Sequence, residues 1–238
     1  MGRRNKPGAS KRGGLRQFYL VLALVAVVGI AALGYAVARG GGGAVLEPIA
    51  VEGLDDARTL VAKAEGMALG DPSAPAKLLI FNDFQCPACA AFAAQITPFL
   101  KAELVDAGKL QIVYHDFPLV NVHPHAFIAA RAARCAGEQG KYWEYYSMLF
   151  GQQGRWSTRP RAPLGDFEGY AAEVGLDRDA FGACLRSDRY ADVVTANMQL
   201  GQQLGVDGTP TLILNGRRIR DWRSFADLKR LIEGEAGN

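Results

Sequence analysis

The chain has 238 residues, 49% of them apolar and 21% charged, which suits one large domain or two small ones and excludes a disordered polypeptide. Its net charge of +3 is unevenly placed: residues 1–39 hold seven of the 27 basic residues (Arg3, Arg4, Lys6, Lys11, Arg12, Arg16 and Arg39) and no acid, leaving 20 basic against 24 acidic side chains in residues 40–238. That remainder is acidic overall, which argues against nucleic-acid binding, and assigns the basic excess to targeting.

Residues 1–17 form a basic segment. Residues 18–38 are an uncharged apolar run, long enough to cross a bilayer as one helix. The basic flank is expected on the cytoplasmic side, so the chain beyond Gly40 is expected across the membrane as a single-pass anchored domain. A cleaved secretory signal is the competing reading, and Ala36-Val37-Ala38 offers a small-residue cleavage pattern. The run exceeds the roughly 7–15 apolar residues of a signal sequence, which favours the anchor. Both readings export the rest of the chain to the periplasm or cell envelope.

Residues 39–64 read as a linker that starts with glycines, with a short helix expected over 55–68. Turn chemistry over 70–75 precedes a buried strand over 77–83. Cys86-Pro87-Ala88-Cys89 follows, at the start of a helical pattern over 87–107 that Pro98 should kink. A strand that delivers Cys-x-x-Cys to the first turn of a helix is the geometry of dithiol–disulfide chemistry. The free backbone N–H groups there favour a thiolate on Cys86, Pro87 suits the first helical position, and Cys89 lies one turn on. Half of a zinc site is the alternative, but Cys135 and Cys184 stand alone and far apart, so no metal is expected.

A second strand is expected over 110–117. Helical patterns then run over 126–138, 142–150, 166–174, 178–185 and 188–204. Strands over 211–214 and 217–220 flank Asn215-Gly216, a type I′ turn signal, and a last helix over 225–232 opens with Ser224 and Asp227 in capping-box style. Removing the helical block leaves β-α-β-ββ-α, so the expected fold is α/β and thioredoxin-like. Its core spans 65–122 and 205–238, with a helical insert over 123–204. All four cysteines lie beyond the apolar run, and in an oxidising compartment an even count suggests two disulfides. Cys86–Cys89 would be the redox-active one and Cys135–Cys184 a structural bridge; two buried free thiols are the alternative for the latter pair.

Gly208-Thr209-Pro210-Thr211 stands just before the hairpin strand, where a cis X-Pro bond is permitted. There Thr209 and Pro210 would hold an extended peptide beside the cysteines by strand addition. His123 and His125, without a carboxylate pair nearby, read as residues at a helix start. His115-Asp116 reads as structural, the aromatic run from Tyr142 to Phe150 as packing, and the arginines at 217, 218, 220 and 223 as a solvated face.

Taken together, these stretches resemble the DsbA-type thiol:disulfide oxidoreductases, in the branch common among membrane-anchored bacterial members. The resemblance runs through residues 69–75, Phe81-Asn82-Asp83-Phe84-Gln85-Cys86-Pro87-Ala88-Cys89, Asp116-Phe117-Pro118-Leu119, Gln139-Gly140-Lys141-Tyr142-Trp143 and Gly208-Thr209-Pro210-Thr211. It implies that Cys86 is the nucleophile, Cys89 the resolving thiol and Pro210 a cis-proline. It also implies a second disulfide in the insert, matching Cys135 and Cys184. No cofactor is implied. The implied partners are unfolded or reduced exported proteins and a quinone-linked membrane oxidase of the DsbB or vitamin K epoxide reductase-like kind. Two departures stand out: Ile80 replaces the family's buried acid, and Ala88 replaces a histidine between the cysteines. The expected function is disulfide formation in exported proteins; a disulfide reductase or isomerase and a peptide-binding chaperone are the alternatives.

Overall fold

The computed structural model describes residues 12–38 and 44–236; residues 1–11 of the basic segment and 39–43 of the expected tether lie outside the described residues. The chain divides into two units, 1–42 and 43–238. In the first, helix α1 (Arg12–Ala38) contains the apolar run, and every side chain from Gln17 to Ile30 is exposed.

In the second unit the five-stranded sheet has the order β1-β3-β2-β4-β5, from β1 (Met67–Leu69), β2 (Ala76–Asn82), β3 (Leu110–Asp116), β4 (Thr211–Leu214) and β5 (Arg217–Ile219). Only β2 and β3 pair in parallel, with Ile80 opposite Tyr114; Ile80 also faces Leu212 across the antiparallel β2–β4 pair. A central strand flanked on both edges reads as a nearly unbroken apolar run because helices cover both of its faces. Leu78, Ile80, Leu212 and Leu214 have no exposed surface.

The crossover from β2 to β3 is the helical run that starts at the cysteines. It is broken sooner than the sequence predicts: α3 (Pro87–Gln95) stops at Ile96, α4 (Thr97–Leu100) follows, and a π-helical turn (Lys101–Val105) completes it. Pro98 has no N–H for the carbonyl four residues back, and its ring crowds that turn. The hairpin turn has positive φ at both Asn215 (46°) and Gly216 (82°), as a type I′ turn requires.

The sequence reading differs at the start of the domain. Residues 44–64 are not a linker but part of the compact unit. Within them α2 (Ala57–Lys63) is capped by Asp56, which accepts the Thr59 N–H at 2.8 Å. Leu54, Leu60 and Ala64 pack on Ala196. The helix expected over 55–68 ends early because residues 67–69 pair with β3 as β1. Gly66 permits this: a Cβ there would sit 2.4 Å from the Val113 side chain.

The insert holds α5 (Ala126–Glu138), α6 (Tyr142–Gly151), α7 (Gln153–Trp156), α8 (Leu164–Glu173), α9 (Arg178–Arg186) and α10 (Ala191–Gln203), and α11 (Phe225–Ala236) closes the fold. The start of α10 falls after Tyr190, whose φ is +64°. Buried charges bind insert to sheet. Arg134 on α5 donates to Asp116 at the end of β3 at 2.5 Å and to the Glu65 carbonyl at 2.7 Å. Arg131, fully buried, donates to the carbonyls of Val45, Ser187 and Arg189. Cys135 on α5 and Cys184 on α9 form a disulfide with Cα atoms 5.9 Å apart, closing a separation of 49 residues. Replacing both cysteines by serine should lower unfolding stability by about 2–5 kcal/mol in denaturant titration while leaving the reactivity of Cys86 intact.

Candidate active site

Strand β2 runs into a tight turn at its C-terminal end, and the turn is organised by Asp83. The Asp83 carbonyl accepts the Cys86 N–H at 3.1 Å, and one carboxylate oxygen accepts the Gln85 N–H at 2.7 Å. Cys86 then occupies the cap position of α3 in an extended conformation, with Pro87 in the first turn. Both cysteines are free thiols here. They differ in depth: Cys86 keeps 7% of its surface exposed and Cys89 none.

Their proton affinities diverge accordingly. The Cys86 pKa falls from an ordinary value of 9.0 to about 5, chiefly because the Cys89 thiol donates to its sulfur; burial opposes this, and the Cys89 and Ala88 N–H groups at the helix start assist it. Cys89 is pushed well above 9.0, first by burial and then by the Cys86 thiolate beside it. One thiol is thus the anion and the other its proton donor.

The residues predicted to hold substrate come to the same place. Thr209–Pro210 is a cis peptide bond, and the Cys86 thiol donates to the Thr209 carbonyl at 3.4 Å, a contact that by itself favours the protonated thiol. The Thr209 hydroxyl is buried without a hydrogen-bond partner of normal geometry, yet it lies close enough to both sulfurs to lower their pKa. A groove of about 340 Å³ leads away from this point, lined by Asp207, Pro210, Arg218, Arg220 and Trp222. Two arginines that the sequence placed on a solvated face therefore border the site.

Other neighbours carry no motif. Gln153 on α7 donates to the carbonyls of Phe84 (2.7 Å) and Cys86 (3.1 Å), so the insert holds the cysteine turn directly. Gln85 donates to the Ser157 carbonyl and accepts the His125 N–H. His123, read as a residue at a helix start, places Nδ1 2.7 Å from the other oxygen of Asp83, which also accepts the Leu119 N–H at 2.8 Å. The Asp83 carboxylate is taken up by the Gln85 and Leu119 N–H groups and by His123, so it does not stand in for the acid missing at Ile80. The aromatic run packs as expected: Tyr146 and Phe150 both contact the Phe84 ring.

The family profile described as thioredoxin matches residues 62–234. The chain belongs to the thioredoxin family. Its structure resembles BdbD of Bacillus subtilis in the oxidised form, with a TM-score of 0.65 at 21% identity over 72% of this chain and 92% of that one. Alpha-DsbA1 of Wolbachia pipientis gives the same score at 22% identity, over 72% and 91%. At these identities the likeness establishes a shared fold, the thioredoxin-like fold with helical insertions. In sequence the chain is 27% identical to the probable disulfide bond formation protein D of Bacillus anthracis, over 76% of this chain and 83% of that protein. It is 35% identical over 70% of its length to the Na(+)/H(+) antiporter NhaA 1 of Salinispora arenicola. The chain spans about a quarter (24%) of the length of that antiporter.

In this thioredoxin-family site, thiolate absorbance of the reduced protein should titrate with a midpoint near 5, and alkylation of Cys86 should stay pH-independent above neutrality. A midpoint near 9 would refute the assignment of the anion. With Cys89→Ser, the Cys86 thiolate should attack a disulfide-bonded peptide, release one of its sulfurs as a thiolate and accumulate as the mixed disulfide, as mass spectrometry of the adducts would read.

Proposed function

We propose that this protein is a thiol:disulfide oxidoreductase that forms disulfide bonds in exported proteins. The carrying observation is the split between a shallow thiol with a pKa of about 5 at a helix start and a buried partner one turn in, with its pKa raised well above 9.0.

The chemistry balances with no cofactor. In the oxidised enzyme a substrate thiolate attacks Cys86, the less deeply buried of the two cysteines. The Cys86–Cys89 bond breaks, and Cys89 leaves and takes up a proton. The substrate's second thiolate then attacks the substrate sulfur of the mixed disulfide and expels Cys86. Two electrons pass to the enzyme and one disulfide forms in the substrate. Cys86 leaves readily because its thiolate is stable. A substrate strand laid along Thr209 and Pro210 in the adjoining groove is gripped through its backbone, which suits many unrelated sequences.

Reoxidation falls to a membrane partner, a quinone-linked thiol oxidase of the DsbB or vitamin K epoxide reductase-like kind. The basic residues of the first segment and the exposed apolar surface of α1 support a single-pass anchor with the thioredoxin-family domain on the extracytoplasmic side. The structural bridge between Cys135 and Cys184 fits an oxidising compartment.

The test is the equilibrium of the full chain, in detergent, with glutathione, together with oxidation of a reduced two-cysteine peptide. Ala88 places no charge between the cysteines, so the potential should lie above thioredoxin's roughly −270 mV and below the roughly −120 mV of DsbA. The oxidised protein should convert the peptide, and Cys86→Ala should not. A potential at or below thioredoxin's would transfer the protein to the reductases. Peptide binding with no thiol exchange would make it a chaperone.

A further inference from the structure

His123 is fixed to the turn that delivers the nucleophile. Its Nδ1 lies 2.7 Å from Asp83, whose other oxygen holds the Gln85 N–H and whose carbonyl holds the Cys86 N–H. The Asp83 side chain has no exposed surface, whereas the His123 side chain is 18% exposed. With Nδ1 engaged, Nε2 is the nitrogen left to exchange protons with solvent. We propose that His123, held by Asp83, neutralises the buried carboxylate of the turn that carries Cys86, and so sets how strongly the Cys86–Cys89 couple oxidises.

Two charged groups act on the ring. Asp83 and the Cys86 thiolate both favour the imidazolium, and burial alone opposes them, so the His123 pKa rises. The other titratable groups of the neighbourhood are committed elsewhere. His125 bonds the Arg159 carbonyl, the Arg159 guanidinium pairs with Asp166, and His115 bonds Asn197. Coupling is reciprocal: a thiolate that favours the imidazolium is favoured by it in turn. The pair also resolves an electrostatic conflict. A buried carboxylate three residues before Cys86 would by itself disfavour the thiolate, and a protonated His123 cancels it. His123 thereby acts on the redox couple as a positioning residue, through charge and not through bonds to the substrate.

This inference rests on the dithiol reading above, and its test separates the two. In the full chain in detergent, His123→Gln keeps a donor for Asp83 and removes the charge. Its thiolate titration midpoint should rise and its equilibrium with glutathione should shift about three- to tenfold toward the oxidised enzyme, tenfold being one pKa unit. Ala88→His added to His123→Gln should restore the wild-type constant. Should His123→Gln fail to fold, NMR titration of the imidazole in wild type and Cys86→Ser decides, since removing the thiolate should lower the His123 pKa. An unchanged midpoint and equilibrium constant in folded His123→Gln, or an imidazole indifferent to Cys86→Ser, would overturn the proposal. Neither readout needs peptide oxidation, so failure of the wild type to oxidise peptide would count against the oxidoreductase reading alone.

Discussion

Asp83 is the constraint on which the site depends. Its carboxylate has no exposed surface and receives three hydrogen bonds, from the N–H groups of Gln85 and Leu119 and from His123. One lies within the cysteine turn and two come from the far side of β3, where the insert begins. A buried carboxylate is stable only when its lone pairs are occupied, so removing any partner leaves an unsatisfied charge in the interior. The turn that presents Cys86 and the segment that enters the insert are therefore fixed by one group. The thiols are set against a frame that cannot shift locally without exposing this charge.

The insert is consequently part of the active site and more than a cover. Gln153 reaches the carbonyls of Phe84 and Cys86, and Gln85 reaches back to Ser157. Arg134 ties α5 to the end of β3, and the Cys135–Cys184 bond ties α5 to α9. Each of these contacts spans many residues of sequence and would be lost first if the insert loosened. The structural disulfide stabilises the insert by tying α5 to α9, while the contacts that brace the cysteine turn come from Gln153 and Ser157.

Much of this was legible in the sequence because the signals were local. Cys-x-x-Cys after an apolar run, Asn-Gly between strands, and Gly-Thr-Pro-Thr before a strand each determine their own geometry within a few residues. Periodicity located the sheet and most of the insert. What escaped was set by distant partners. Strand β1 exists because Met67–Leu69 meets β3, and residues 44–64 belong to the domain because Leu60 finds Ala196. The short α7 has no periodicity to detect, yet it carries Gln153. His123 read only as a helix-start residue because its partner stands 40 residues upstream. No spacing rule joins a strand-end aspartate to a histidine beyond the next strand; only the crossover topology does.

The two sulfurs divide the work by depth. Cys86, at the helix start, is held as a thiolate by the Cys89 thiol and helix N–H groups, while Cys89 is buried enough to stay protonated. The reduced protein gains stability from that depressed pKa. The gain is complete above the ordinary thiol value of 9.0, and it is lost as pH falls through about 5. At neutral pH much of it is present, and a stabilised reduced state makes the disulfide a stronger oxidant. The same stabilisation weakens Cys86 as an attacking nucleophile and improves it as a leaving group. Such a thiol is suited to being attacked while oxidised and expelled when the substrate closes its own bond. The geometry therefore favours the direction in which electrons enter from substrate.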